Sequence, residues 1–243
     1  MSATRTLSTA TLPDPDHPDA GLTFFSTWDT GSPERRQATL DAIARAWESR
    51  PWPHAGLLSY TVYAGGDGTT LLHHSQWRDE EAYQDFFASP ANGRDARNAD
   101  IDAAVPGIAR LSLSKTRLHR GWYADAGRDD RPAGAIVVVQ VDFDGPDADR
   151  QRAWIDGVLT ALDSDPVQDK GLISAHFHTT TDGTRVVNYA RWETEQAHID
   201  ALAAAGEGVG SPTPQWRRVR DFPGVASGGS VARYRFAYRL IPS

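Results

Sequence analysis

Asn188 and Trp192 stand four positions apart in the run RVVNYARW, and His198 follows six positions after the tryptophan. The run alternates in character with period two, the mark of a β-strand, so Asn188 and Trp192 project from one face. An amide and an indole N–H side by side are hydrogen-bond donors, and a histidine can take and return a proton near neutrality. The plain structural alternative is that Trp192 plugs a core and Asn188 bonds a loop. His176 and His178 also share a face, two apart on the preceding run, a spacing that a metal could use. No third ligand recurs at a supporting spacing, so half-exposed strand histidines without a metal are expected.

These side chains must be positioned by residues 171–198, GLISAHFHTTTDGTRVVNYARWETEQAH. The stretch reads as a strand from Leu172 to His178, a Thr/Asp/Gly turn, a strand from Val186 to Trp192, and a helix start at Thr194. Residues 56–83, GLLSYTVYAGGDGTTLLHHSQWRDEEAY, repeat it: Gly56 precedes Gly171, and Trp77 precedes Trp192, by the same 115 positions. Nine of the 28 positions are identical without a gap, which makes the chain an internal duplication. The copies differ where chemistry would sit. The second has Asn188, Trp192 and His198; the first has His73, Trp77 and Tyr83 at the matching positions.

Residues 1–20 are rich in Ser, Thr, Pro and Asp and are expected as a disordered or loosely docked arm. Domain 1 spans 21–120, opening with the strand LTFFSTW. Ser32-Pro33-Glu34 then starts a helix with a capping hydroxyl, proline at the first helical position and an acid near the positive dipole end. Leu40, Ile43, Ala44 and Trp47 fall on its apolar face. The hairpin follows, then a short helix from about Asp79 to Ala88, an irregular stretch SPANGRDARNAD, and a last strand near Leu111 to Leu118. The polar stretch 121–134 is a linker. Domain 2, 135–243, repeats the order: the strand AIVVVQVDF, a helix capped by Asp147, the hairpin, a helix from Thr194, the loop GEGVGSPTPQW, and a closing strand with Tyr234, Phe236 and Tyr238 on one face. Each half is βαββαβ, an α+β class with tandem ferredoxin-like repeats.

Composition narrows the function. A chain of 243 residues suits two domains, and a net charge of −7 with no Lys/Arg block argues against a nucleic-acid binder. The absence of cysteine excludes disulfides, thiolate metal sites and a Cys nucleophile, which fits a cytoplasmic protein. No apolar run approaches a membrane span. Neither GxGxxG, GxxxxGK[ST] nor GxSxG occurs, and the glycines of GGDGTT are turn residues between two strands.

TDGTRVVNYARWETEQAH resembles the central motif of the antibiotic biosynthesis monooxygenase family, and in particular its cofactor-independent, quinone-forming (anthrone) branch. The resemblance is strong over 135–198, fair over 21–90 and weak beyond 205. It implies that two sheets pack face to face, here as an intrachain pseudo-dimer of the dimeric α/β-barrel type, with a further homodimer left open. It also implies oxidation of an aromatic polyketide, an anthrone or phenol, by O₂ to a quinone or hydroxylated product in secondary metabolism, without metal or organic cofactor. Asn188 and Trp192 would then hold the oxyanion, and His198 would move the proton as a base titrating near neutrality. His73, Trp77, Tyr83, Arg97 and Tyr189 would bind substrate. More of the motif is intact in the second repeat, which is expected to be the working one. Two alternatives share the fold: a non-oxidative protein that holds a polyketide or assists its cyclisation, and a haem degrader using His198 as the iron ligand.

Overall fold

The computed structural model describes residues 4–124, 131–166, 171–205 and 210–243. In chain order the elements are β1 (Thr6–Thr9), β2 (Leu22–Asp29), α1 (Pro33–Glu48), β3 (Leu57–Gly65), β4 (Thr70–Trp77), α2 (Glu80–Ala88), α3 (Arg94–Ala104), β5 (Ala109–Tyr123), β6 (Ala135–Asp142), α4 (Ala148–Asp163), β7 (Leu172–Thr180), β8 (Arg185–Trp192), α5 (Glu195–Ala205), α6 (Pro214–Arg220) and β9 (Ser230–Pro242). They form two units, Met1–Lys115 with Tyr234–Ser243, and Thr116–Arg233. Each is a mixed α+β, ferredoxin-like assembly of antiparallel strands and helices. In the first unit the strands run β1-β9-β3-β4-β2-β5, and in the second β5-β7-β8-β6. Strands β5 and β9 each contribute residues to both units.

The positions that the two copies share have physical reasons. Asp67 Oδ1 accepts from the Thr69 and Thr70 N–H groups, as Asp182 Oδ1 does from Thr184, and Gly68 and Gly183 between them sit at φ +89° and +79°. Only glycine adopts that conformation cheaply. A Cβ on Gly56 would lie 2.3 Å from the Ala82 Cβ, and one on Gly171 2.6 Å from the Ala197 Cβ, so helix and strand approach closely in both halves. Leu57 pairs with Trp77 and Leu172 with Trp192, each followed by a bulge that ends at Ser59 or Ser174. The helices open alike: Asp79 accepts from the Ala82 N–H and Thr194 from the Ala197 N–H, with Glu80 and Glu195 as first helical residues. An acid there meets the positive end of the helix dipole.

The core of the first unit is in two parts. Trp28, Leu40, Ile43, Val62, Leu71 and Ile101 pack beneath α1 and α3, while Leu22, Phe24, Leu57, Trp77 and Phe86 pack toward α2. In the second unit one continuous cluster joins Trp154, Ile155, Val158 and Leu159 of α4 to Val186, Ala190 and Trp192 of β8 and Trp216 of α6. Each such side chain contributes about 1.5–3 kcal/mol on burial.

Several expectations change. SPANGRDARNAD was expected to be irregular, yet it contains the start of α3; Gly93 opens that helix at φ +66° with no side-chain cap. Its buried positions include Arg97 as well as Ile101, so no apolar stripe announces it. The expected loop before Trp216 yields α6, capped by Thr213 with Pro214 at its first turn. The arm docks on the first unit: β1 pairs with β9, and the Leu12 and Asp14 carbonyls accept from Arg239 and Gln76. Tyr238 parts from Tyr234 and Phe236, because a bulge pairs Phe236 with Tyr63 but Tyr238 with Val62. His176 and His178 are fully buried rather than half-exposed. His176 Nε2 lies 3.0 Å from Ser174 Oγ, and His178 Nδ1 donates to the His176 carbonyl at 3.0 Å. Of the expected linker, residues 121–123 belong to β5 and residues 125–130 lie outside the described residues.

Candidate active site

In the first unit a cavity of about 510 Å³ opens where its two core clusters meet. Strands supply one wall: Phe24, Ser26 and Trp28 from β2, Leu57 and Tyr60 from β3, and His73, Ser75 and Trp77 from β4. The period-two alternation of β4 puts His73, Ser75 and Trp77 on the same face. Helices supply the other: Trp47 of α1, Tyr83, Phe86 and Phe87 of α2, and Arg94, Arg97, Asn98 and Ile101 of α3. Arg110, Ser112 and the exposed Leu111 and Leu113 of β5 complete the rim. Four expected ligand-binding residues, His73, Trp77, Tyr83 and Arg97, therefore meet in one cavity.

The lining is aromatic and electropositive. Tyr83 stacks on Phe24 at 4.5 Å and meets Trp77 edge-on at 5.4 Å, while Tyr60 stacks on Trp47 at 4.4 Å. Arg97 lies 4.8 Å over Trp47 and Arg110 4.6 Å over Trp28, distances at which a cation gains from the ring quadrupole. Among the described residues, no carboxylate lines the cavity. Arg110 pairs with Asp102 and Arg94 with Asp95. Arg97 is buried and donates instead to the Asn92 and Pro51 carbonyls, its Nε making no bond. Burial, then the neighbouring Arg50, lowers its pKa to about 10, so it stays charged at neutral pH. Burial raises the pKa of Tyr83.

His73 is the buried polar centre. Its Nδ1 lies 2.6 Å from the Tyr60 hydroxyl, and its ring lies 4.1 Å from Trp28. Burial first, and the charge of Arg110 second, push its pKa down to about 3. At neutral pH it is an uncharged imidazole. Trp77 donates its indole N–H to Ser75 Oγ at 3.3 Å.

Asn188, Trp192 and His198 also come together, in the second unit. Trp192 is buried in the continuous core, with the His198 ring edge-on at 4.9 Å. His198 Nδ1 accepts from Arg233 Nε at 2.9 Å, and Asn188 Oδ1 is buried without a partner. The near-neutral titration expected of His198 does not survive: burial, then Arg233, lowers its pKa to about 4. Tyr189 is buried on the opposite face of β8 from Asn188, 6.4 Å from the His176 ring. Among the described residues, no cluster of three His, Cys, Asp or Glu side chains could hold a metal ion. Among the described residues, no helix is long and apolar enough to cross a membrane.

Sequence reasoning missed Tyr60, Trp28, Arg110 and Asn98. Tyr60 lies one step along the hairpin from His73 in the paired register, Val62 standing opposite His73 and Tyr60 opposite Ser75, and that spacing could have revealed it. Asn98 carries no such signal, because α3 itself was not visible, and Arg110 lies at the start of β5, just before the strand expected from near Leu111.

Comparison with known proteins adds the following. The model of the antibiotic biosynthesis monooxygenase family matches residues 30–94. An anthrone oxidase-like protein of known crystal structure shares 19% identity at a TM-score of 0.64, covering 96% of this chain and 95% of that one. A protein of Lactobacillus acidophilus NCFM, provisionally assigned as a monooxygenase, shares 10% identity at 0.53 over 90% and 95%. The ActVA-Orf6 monooxygenase of Streptomyces coelicolor, solved with nanaomycin D, shares 28% identity over 42% of this chain and 87% of its own, at a TM-score of 0.31. No curated protein matches the chain. Residues 30–94, running from the approach to α1 to the first residue of α3, are thus similar to the antibiotic biosynthesis monooxygenase family.

Proposed function

We propose that the protein is a cofactor-independent monooxygenase that oxidises a planar anthrone or phenol of the aromatic polyketide class with O₂, and that the first-unit cavity is its site. The observation that carries this reading is a cavity walled by aromatic rings, set with three arginines and free of carboxylates. Its volume falls within the few hundred to about 1,000 Å³ typical of small-molecule sites. Flat rings stack on Trp47, Tyr60 and Tyr83, and guanidinium charge favours a ligand that has lost a proton.

The chemistry asks little more of the protein. An anthrone that gives up its proton to solvent water becomes an electron-rich enolate, which passes one electron to O₂. The ligand radical and superoxide combine at the ring carbon, and the protonated hydroperoxide then loses water to leave a second carbonyl. One anthrone and one O₂ become one quinone and one water. Arg97 and Arg110 stabilise the enolate through preorganised charge, a contribution that costs no reorganisation at the moment of reaction. The hydroxyl of Tyr83 stays protonated, since burial raises its pKa, and is the proton donor for the peroxide.

The non-oxidative reading uses the same cavity without turnover. Haem degradation has less support, since His198 is packed against Trp192 and bonded by Arg233. Oxygen consumption by the chelator-treated protein with 1,8-dihydroxy-9-anthrone, matched by quinone formation above the spontaneous rate, tests the proposal. Tight binding with no added oxygen uptake would leave the holding function instead.

A further inference from the structure

We propose that the Nε2–H of His73 donates the hydrogen bond that holds the ionised oxygen of a planar phenolic ligand, with Tyr60 fixing the imidazole in that tautomer. The inference rests on the cavity being a site for such ligands, and it assigns a buried polar atom of its wall that the fold leaves unused. His73 lines the cavity and is 4% exposed, yet its Nε2 has no partner. A buried polar atom left unpaired is costly in a folded chain and persists where a ligand satisfies it.

The hydrogen count fixes its character. A neutral imidazole and a phenol carry one polar hydrogen each, and one of the two is used between Tyr60 and His73 Nδ1, 2.6 Å apart. One donor hydrogen is left over. A phenol is a far stronger acid than a neutral imidazole N–H, and an sp² nitrogen is the better acceptor. The tyrosine therefore donates to Nδ1, which leaves the hydrogen on Nε2. The depressed pKa of His73 agrees, since a neutral ring can hold this arrangement throughout the physiological range. His73 is thus a donor and not the base that takes the ligand's proton. Arg97 and Arg110 supply the charge around it, while the Nε2–H marks where the oxygen sits. Tyr60 is a positioning residue.

Two measurements test this, and neither depends on turnover. In ¹⁵N-imidazole-labelled protein without ligand, His73 Nε2 should carry the proton and Nδ1 should resonate as an unprotonated, hydrogen-bonded nitrogen; the opposite tautomer would overturn the proposal. Tyr60→Phe should turn the single tautomer into a mixture, and an unchanged spectrum would count against the positioning role. The second probe is alizarin, a hydroxyanthraquinone whose visible band moves to the red on losing its proton. Bound to the wild-type protein it should ionise with a constant at least about tenfold larger than in solution. His73→Phe should lose most of that gain, about tenfold for one hydrogen bond to a charged oxygen, and His73→Gln, whose amide still donates, should restore part of it. Alizarin that binds with the same ionisation in wild type and His73→Phe would overturn the role of His73 while leaving the site intact. Alizarin that does not bind at all would overturn both this role and the reading of the cavity.

Discussion

His73 and Asn188 occupy the same position in the two copies, and their surroundings differ in charge as well as shape. His73 is pressed by burial and by Arg110 to a pKa of about 3. Removing that charge with Arg110→Gln should raise the value while burial, the larger cause, keeps it well below an ordinary histidine; an NMR pH titration reads this directly, and no change would show that Arg110 does not reach it. His73 and His198, at about 3 and about 4, both lie below the near 6.5 of an unfolded histidine. Between those limits the unfolded chain binds protons that the folded chain refuses. Their stabilisation is therefore full above about pH 6.5 and falls away as pH drops toward 4 and then 3. Melting temperatures recorded from pH 7.5 to 4 should decline accordingly, and His198→Phe should flatten the decline; an unaltered slope would contradict it.

At the scale of elements, the hairpins, the first helix of each half and the closing strands were legible, because period-two and period-3.6 patterns and their caps are local properties. Helix α3 was not. It opens on Gly93 instead of a capping side chain, and its inward positions hold Arg97 and Asn98, which serve the cavity and break the apolar stripe. Trp77 and Trp192 looked alike in sequence, and nothing local distinguishes a cavity wall from a core plug. What separates them is the facing helix, where α3 brings Arg97 and Asn98 and α6 brings Trp216. The close approach at Gly56 explains its presence in both copies. Gly56→Ala should cost about 1–3 kcal/mol by overpacking against Ala82, and Ala82→Gly in the same chain should recover part of it. Denaturant midpoints of the four proteins give that coupling, and purely additive losses would show that the two residues do not meet.

For the molecule as a whole, duplication has produced halves of one fold with different interiors. The first interior is divided around a cavity lined by arginines although the chain carries a net charge of −7, so the positive charge there is local rather than general. The second is filled continuously by Trp154, Trp192 and Trp216. Titration with alizarin should accordingly saturate at one molecule per chain, and saturation at two would mean that the second half binds it as well. The sequence favoured the second half as the working one; the cavity and the family match at residues 30–94 favour the first. The most direct measurement compares oxygen consumption with 1,8-dihydroxy-9-anthrone in two variants of the full chain. Asn98→Trp places on α3 the kind of ring that Trp216 supplies on α6, and Trp192→Phe keeps a ring in the second core while removing its N–H. Oxidation in the first half requires that Asn98→Trp lose nearly all protein-dependent uptake and that Trp192→Phe keep it; full activity in Asn98→Trp with loss of about a hundredfold in Trp192→Phe would contradict it.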